Sequence, residues 1–184
     1  MSREQVAENR QKILDAASRL FRERGYDAVT VADVMKAAGL THGGFYGYFR
    51  SKDELIAQTL AHVFAQGLGA ETDLARFADS YLSRAHCDNL AGGCPTAALG
   101  AETVRQSPDT RAVMTEGLRK HIERLSRGQP GVDAEEARKA AIGSWAAMVG
   151  AVILARLVDD HQFSDEVLEQ TRAWIGERNE VRER

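Results

Sequence analysis

Residues 30–55 read TVADVMKAAGLTHGGFYGYFRSKDEL, and the order of caps, apolar positions and glycines in this stretch decides the fold. Thr30 stands three residues before Asp33, the spacing of a capping box. Val31, Val34, Met35 and Ala38 then recur at i, i+3, i+4 and i+7, so a short helix buries one face. Gly39 follows that face, where a residue tolerant of left-handed backbone ends a helix, and Leu40-Thr41 restarts the chain in a new direction. A second helix is expected from an N-cap at Thr41, with Leu40 stapled onto Phe45 and with Phe45 and Phe49 facing inward together. Ser51 and Glu54 repeat the capping-box spacing and open a third helix through Leu55, Ile56, Leu60, Val63 and Phe64. Two short helices around a glycine turn, followed at once by a capped third, make a helix-turn-helix.

Spacing residues by 100° around the second helix, with Phe45 and Phe49 inside, puts Gly43, Gly44 and Gly47 on the outer arc and Tyr46 and Tyr48 on its flanks. Each glycine costs a helix interior about 1 kcal/mol against alanine, so local propensity opposes the helix that the pattern demands. Such conflicts concentrate at functional positions. A face stripped of side chains lets the helix axis sit deep in a major groove. Tyrosine hydroxyls on the flanks then reach phosphates, and His42 at the tip reaches base edges. Lys36, Arg50 and Lys52 give this segment a local positive field, since no acid stands between Val34 and Lys52. Lys52 opens its helix beside free backbone N–H groups suited to the same phosphate strand.

The stretch from about Gln11 to Leu55 resembles the N-terminal domain of the TetR family of bacterial transcriptional regulators. KILDAASRLFRERGYDAVTVADVMKAAGL is similar to that family's first helix, its break at Gly25-Tyr26 and its second helix; THGGFYGYFRSKDEL is similar to its recognition helix and the start of its fourth. The resemblance implies phosphate contacts from Thr30, Tyr46, Tyr48 and Lys52, and base or sugar contacts from Thr41, His42, Gly43 and Gly44. Gly47 stands where many members carry a larger residue, so any base contact from there is missing. The resemblance also implies an all-α homodimer, a C-terminal domain that binds a small-molecule inducer, and a repressor that leaves its operator when the inducer arrives.

The chain has 184 residues and a formal net charge of −3, with the acidic excess in the C-terminal part rather than the first 55 residues. That length supports a sizeable core in one or two domains. Three prolines, no long alternating apolar-polar run and frequent 3.6-residue periodicity argue for an all-α protein of about nine helices. The expected division is a helix-turn-helix DNA-binding domain over 1–55 and a helical inducer-binding and dimerisation domain over 56–184. A cytoplasmic location is expected, since no stretch reads as a signal peptide. No nucleophile elbow, metal-binding His pair or phosphate loop is found, so no enzyme, cofactor or metal is expected.

Further helices are expected at Leu74–Leu82, Pro95–Val104, Pro108–Ser126, Ala134–Val158 and Asp165–Val181, with N-caps at Ser107, Asp133 and Ser164. From Ala140 to Val158 only Ser144 and Arg156 are polar, so this helix needs cover on both sides. A membrane is disfavoured because the run is rich in alanine and glycine and stops at Arg156, short of the ~20 strongly apolar residues a bilayer needs. Packing against a twin is preferred. The expected dimer interface uses Gly143, Ala147, Gly150, Ala151 and Leu154, with Leu168, Thr171 and Ile175 of the last helix, in a four-helix arrangement.

Candidate inducer-lining residues are Met114, Leu118, His121, Trp145 and Met148, which fall at helical spacings. Cys94 precedes Pro95 at an expected helix start, a position that makes thiols reactive. Oxidant or electrophile sensing through Cys94, resolved by Cys87, is therefore the alternative mode of control. A different class of function, a helical ligand-carrying bundle without DNA binding, explains the C-terminal part but leaves the glycine-faced helix unexplained.

Overall fold

The chain's structure is a computed structural model that describes residues 2–67, 71–129 and 131–180. Ser2 accepts a hydrogen bond from the Gln5 amide and opens α1 (Arg3–Arg24), which begins earlier than the apolar stripe in the sequence indicates. α2 (Val31–Ala37), a 3₁₀ helix (His42–Gly47), α3 (Lys52–Gln66), α4 (Leu74–Tyr81), α5 (Arg84–Asp88), α6 (Pro95–Thr103), α7 (Pro108–Arg127), α8 (Ala134–Leu157) and α9 (His161–Glu180) follow. All regular elements among the described residues are helical, as expected. Val181, the expected end of the last helix, lies outside the described residues.

The chain divides into two compact units. Unit 1 comprises 1–67 and 90–117, and unit 2 comprises 68–89 and 118–184. The division expected at residue 55 falls inside α3, and unit 1 also takes in α6 and the first half of α7.

In unit 1, Ile13, Leu14, Ala17 and Phe21 of α1 are buried together with Val34 and Met35 of α2 and Leu55 and Leu60 of α3. Gly25, with φ +83°, ends α1 in a conformation that a side chain resists. Its neighbour Tyr26 is pinned from both ends. The Tyr26 amide donates to Glu102 Oε2 at 2.7 Å, and the hydroxyl lies 3.3 Å from Thr103 Oγ1. Because Thr103 already donates to the Leu99 carbonyl, the Tyr26 hydroxyl is the donor, and burial pushes its pKa up to about 12. α6 is thus fastened to the turn that follows α1.

In unit 2, α8 packs on α9, and both pack on α4. Asp133 caps α8 through the Glu135 and Glu136 amides. α9 starts four residues earlier than Asp165, because Asp160 Oδ1 accepts from the Gln162 and Phe163 amides at 2.9 and 3.1 Å. Ser164, the expected cap, lies inside the helix instead. It is buried, and its hydroxyl donates to the Ala155 carbonyl of α8 at 2.7 Å. α5 has no counterpart among the expected helices, since five residues are too few to carry a period. It is closed by Arg156, whose Nε donates to the Cys87 carbonyl at 2.8 Å. The single charge late in α8 therefore serves a neighbouring helix end.

α8 is long and apolar enough to cross a membrane by length and composition. Its apolar character is divided between two faces. Ala141, Ser144, Trp145, Met148, Val152 and Ala155 are buried in unit 2, whereas Ile142, Ala146, Ile153 and Leu157 on the opposite arc are exposed.

Candidate nucleic-acid interface

The turn between α2 and the 3₁₀ helix is built on Gly39, whose φ is +72°. The Gly39 amide donates to the Lys36 carbonyl at 3.0 Å and the Leu40 amide to the Met35 carbonyl at 2.9 Å, the paired bonds of a Schellman motif. At the other end of α2, Thr30 and Asp33 close a full capping box. There the Thr30 hydroxyl donates to Asp33 Oδ2 at 2.6 Å, and these bonds hold the Asp33 carboxyl below its usual range. The one hydroxyl proton that Thr30 would offer a phosphate is already committed.

His42–Gly47 winds as a 3₁₀ helix rather than the expected α-helix, and Thr41 makes no side-chain cap. Three glycines in six residues remove the propensity that would favour α geometry, and the tighter winding suits a short piece. At three residues per turn, position 44 falls in line with Thr41. Gly44 accordingly faces the protein: a Cβ there meets Thr41 Oγ1 at 3.7 Å and Met35 Cε at 3.9 Å. Gly43 and Gly47 remain on the open side, with nothing within 4 Å of a Cβ at either. The bare face is thus narrower than the 100° projection gives.

Phe45 and Phe49 anchor the segment, fully buried and stacked at 5.7 Å between centroids. Each such side chain contributes roughly 2–3 kcal/mol on burial. Tyr46 is 76% exposed, and its ring meets Phe45 edge-on. Tyr48 is half-buried, and its hydroxyl accepts from Asn9 Nδ2 of α1 at 3.0 Å. Asn9 itself is buried, with its Oδ1 accepting from Gln5 at 3.3 Å. Nothing in the 30–55 stretch signals this link, because it comes 39 residues away along the chain.

Ser51 caps α3 through the Glu54 amide at 3.1 Å, but the Glu54 carboxylate turns back to the Arg50 amide and guanidinium instead of closing the box on Ser51. Backbone and side-chain bonds from Arg50 hold the Glu54 carboxyl below its usual range. Arg50 is therefore largely neutralised. Lys36 and Lys52 have no carboxylate partner among the described residues, and His42 is exposed beside them in sequence. A cleft of about 390 Å³ beside α3 is lined by Arg50, Ser51, Asp53, Glu54, Gln58 and Asp109, so three carboxylates face one guanidinium that Glu54 already engages, a balance that disfavours phosphate.

The candidate inducer-lining residues are divided by the unit boundary. Met114 is buried in unit 1, while Leu118, His121, Trp145 and Met148 belong to unit 2. His121 and Trp145 lie 4.1 Å apart between ring centroids, joined by Phe77 and Tyr81 of α4, whose approach to α7 and α8 no local spacing in the sequence signals. Burial first and Arg124 second push the His121 pKa down to about 4. Between pH 6.5 and 4 the unfolded chain binds a proton that the folded chain refuses, so stability falls as pH falls through this window, by up to about 3 kcal/mol. Urea midpoints at pH 7 and 4.5 check this. His121→Phe is expected to blunt the acid loss by about 2 kcal/mol, and identical losses would contradict it.

Among the expected dimer residues, Ala151, Leu168 and Ile175 are buried within the protomer and cannot meet a second copy. They lie on the inner arcs of α8 and α9, a position that the expectation of contact from every small or apolar residue overlooked. Gly143 and Leu154 are exposed, while Ala147, Gly150 and Thr171 are half-buried. Outside that set, Ile142, Ile153, Leu157, Phe163 and Trp174 are exposed. Cys94, in unit 1, is buried at the N-cap of α6, and Arg22 Nη1 donates to the adjoining Gly93 carbonyl at 2.8 Å. Cys87, in unit 2, is also buried, and neither forms a disulfide.

Residues 13–59 match the family model for bacterial regulatory proteins of the tetR family. The transcriptional regulator AcrR of Shigella flexneri is 37% identical over 57 residues, covering 31% of this chain but 26% of that protein. The transcriptional repressor NemR of Escherichia coli K12 is 27% identical over 139 residues, covering 69% of this chain and 70% of NemR. The chain thus spans about a quarter of the first relative and more of the second. Among solved structures, reduced E. coli NemR aligns with a TM-score of 0.75 at 25% identity, covering 91% of this chain and 95% of that one. A regulator from Cytophaga hutchinsonii aligns with a TM-score of 0.73 at 20% identity over 96% of each chain, which speaks to fold alone.

Proposed function

Because the chain is a member of the TetR family of bacterial regulatory proteins, we propose that it is a cytoplasmic, ligand-responsive transcriptional repressor. It binds a near-palindromic operator as a homodimer and is released by a small molecule. One observation carries the reading: a glycine-faced 3₁₀ segment stands on two buried phenylalanines, with Tyr46 exposed and Lys36 and Lys52 free of carboxylates among the described residues. Tyr46, Tyr48 and Lys52 contact phosphate, Thr41, His42 and Gly43 face base edges or sugar, and Lys36 adds to the field. Gly44 faces Thr41 and Met35, and Thr30 caps α2 through Asp33. Two such segments must land about 34–36 Å apart, one turn of duplex, which requires two-fold pairing of protomers.

Fluorescence anisotropy on duplexes from the gene's own upstream region tests the reading. Lys52→Ala is expected to weaken binding to all sequences and to reduce the slope of log affinity against log salt by about 1. His42→Ala is expected to alter base preference at one or two positions per half-site. Equal losses on operator and random duplex for His42→Ala would remove its reading role, and salt-independent binding would remove the interface.

A second reading, control through oxidation or alkylation of Cys94, is favoured by its position at the N-cap of α6 beside the Arg22-held Gly93 carbonyl, and by the likeness to a repressor solved in a form described as reduced. Hydrogen peroxide is expected to release the operator from the native protein and to leave Cys94→Ser bound. Release that persists in Cys94→Ser would end this reading.

A further inference from the structure

The aromatic group of unit 2 surrounds a donor that has no acceptor among the described residues. His121 of α7 is 5% exposed, with its ring 4.1 Å from Trp145 and 5.3 Å from Phe77 between centroids, and Tyr81 lies 5.1 Å from Trp145. Arg124 Nη2 is 3.0 Å from His121 Nδ1. A guanidinium only donates, so Nδ1 is the acceptor and the single proton of the neutral ring resides on Nε2. That Nε2–H is fully buried and has no hydrogen-bond partner among the described residues.

Buried donors are almost always satisfied, and one left open amid close-packed rings calls for an acceptor that arrives from outside. The Arg124 guanidinium, also 5.7 Å above the Phe77 ring, polarises the imidazole from its other nitrogen and strengthens the donor. The side chains around Nε2 are aromatic, and their faces and edges match a flat ring better than an aliphatic chain. The burial that keeps His121 neutral penalises a ligand that brings a full charge to Nε2.

Building on the reading of this chain as ligand-responsive, we propose that Phe77, Tyr81, His121 and Trp145 form a site for an uncharged, flat aromatic compound with one acceptor oxygen, such as an aryl ketone. The ketone oxygen accepts from His121 Nε2–H, and the ring system stacks among the aromatic side chains. Arg124 acts through His121 as a positioning residue.

Isothermal titration of the full chain with 2-acetonaphthone and with its hydrocarbon isostere 2-isopropenylnaphthalene tests this. The ketone is expected to bind about tenfold more tightly, the cost of leaving a buried donor unmet. In His121→Phe, which keeps an aromatic ring of similar size, the two compounds are expected to bind equally. The proposal is overturned if the native protein does not prefer the ketone, if neither compound binds, or if the preference survives in His121→Phe. Operator displacement is measured separately. A His121-dependent preference for the ketone that leaves the operator complex intact supports the site while removing the release mechanism.

Discussion

A chain carrying Ile153→Glu and Leu157→Glu is expected to sediment as a monomer and to bind its operator about 10²–10⁴-fold more weakly than the native protein, the range that linkage of two half-site contacts supplies. The two positions lie four apart on the arc of α8 opposite its buried face, and Leu157 is 73% exposed. Ile142 and Ala146 continue the same stripe. Phe163 and Trp174 add exposed aromatic surface on α9. Single exposed apolar residues are ordinary, but a stripe along a whole helix marks a surface meant for a partner. Two carboxylates facing their copies across a two-fold axis would bring four charges into one apolar contact. Sedimentation velocity and circular dichroism together read the result. A folded dimer with native operator affinity would show that the copies meet elsewhere.

The sequence states this face only in part. The run from Ala140 to Val158, apolar but for Ser144 and Arg156, announces a helix covered twice, and small residues announce close approach, yet neither says which arc turns inward. That depends on where Trp145 finds partners on α4, a long-range fact. Hence Ala151, Leu168 and Ile175, expected at the interface, are core, and Ile153 and Leu157 carry the exposed arc instead. Caps were legible where one residue decides them: Thr30, Gly39 and Asp133 behave as their chemistry dictates. Ser164 does not act as a cap because Asp160, four residues earlier, starts the helix a turn sooner through the Gln162 and Phe163 amides, and because the Ala155 carbonyl takes the Ser164 hydroxyl.

From His42 to Gly47, residue spacing marks which side chains point in but not the winding. A 3.6-residue projection puts three glycines outside, whereas 3₁₀ winding returns Gly44 to the protein beside Thr41 and Met35. The tether from Asn9 to Tyr48, and the neutralisation of Arg50 by Glu54, likewise depend on geometry that local spacing leaves open. The positive field is therefore carried by Lys36 and Lys52 more than by the three cations that the sequence counts.

Gly43→Leu separates the role of this segment in folding from its role in recognition. Nothing lies within 4 Å of a Cβ at Gly43, and its φ is not in the left-handed region, so the free protein accommodates the side chain. Replacing glycine also restricts the unfolded chain, and the melting temperature is expected to hold or rise slightly, in line with a gain of up to about 1 kcal/mol. Against duplex DNA the same side chain projects from the face that must approach base edges. It forces the backbone outward by more than the reach of a hydrogen bond, and contacts from His42 and Tyr46 lengthen with it. Operator affinity is expected to fall by about 10²-fold or more, since the loss of two base or phosphate contacts at 1–3 kcal/mol each amounts to that. Non-specific binding, which rests on Lys36 and Lys52 at longer range, falls less, so the ratio of specific to random affinity drops. Native operator affinity in a stably folded Gly43→Leu protein would mean that this face never enters the groove. The unfavourable glycines would then have to be explained by something other than close approach to DNA.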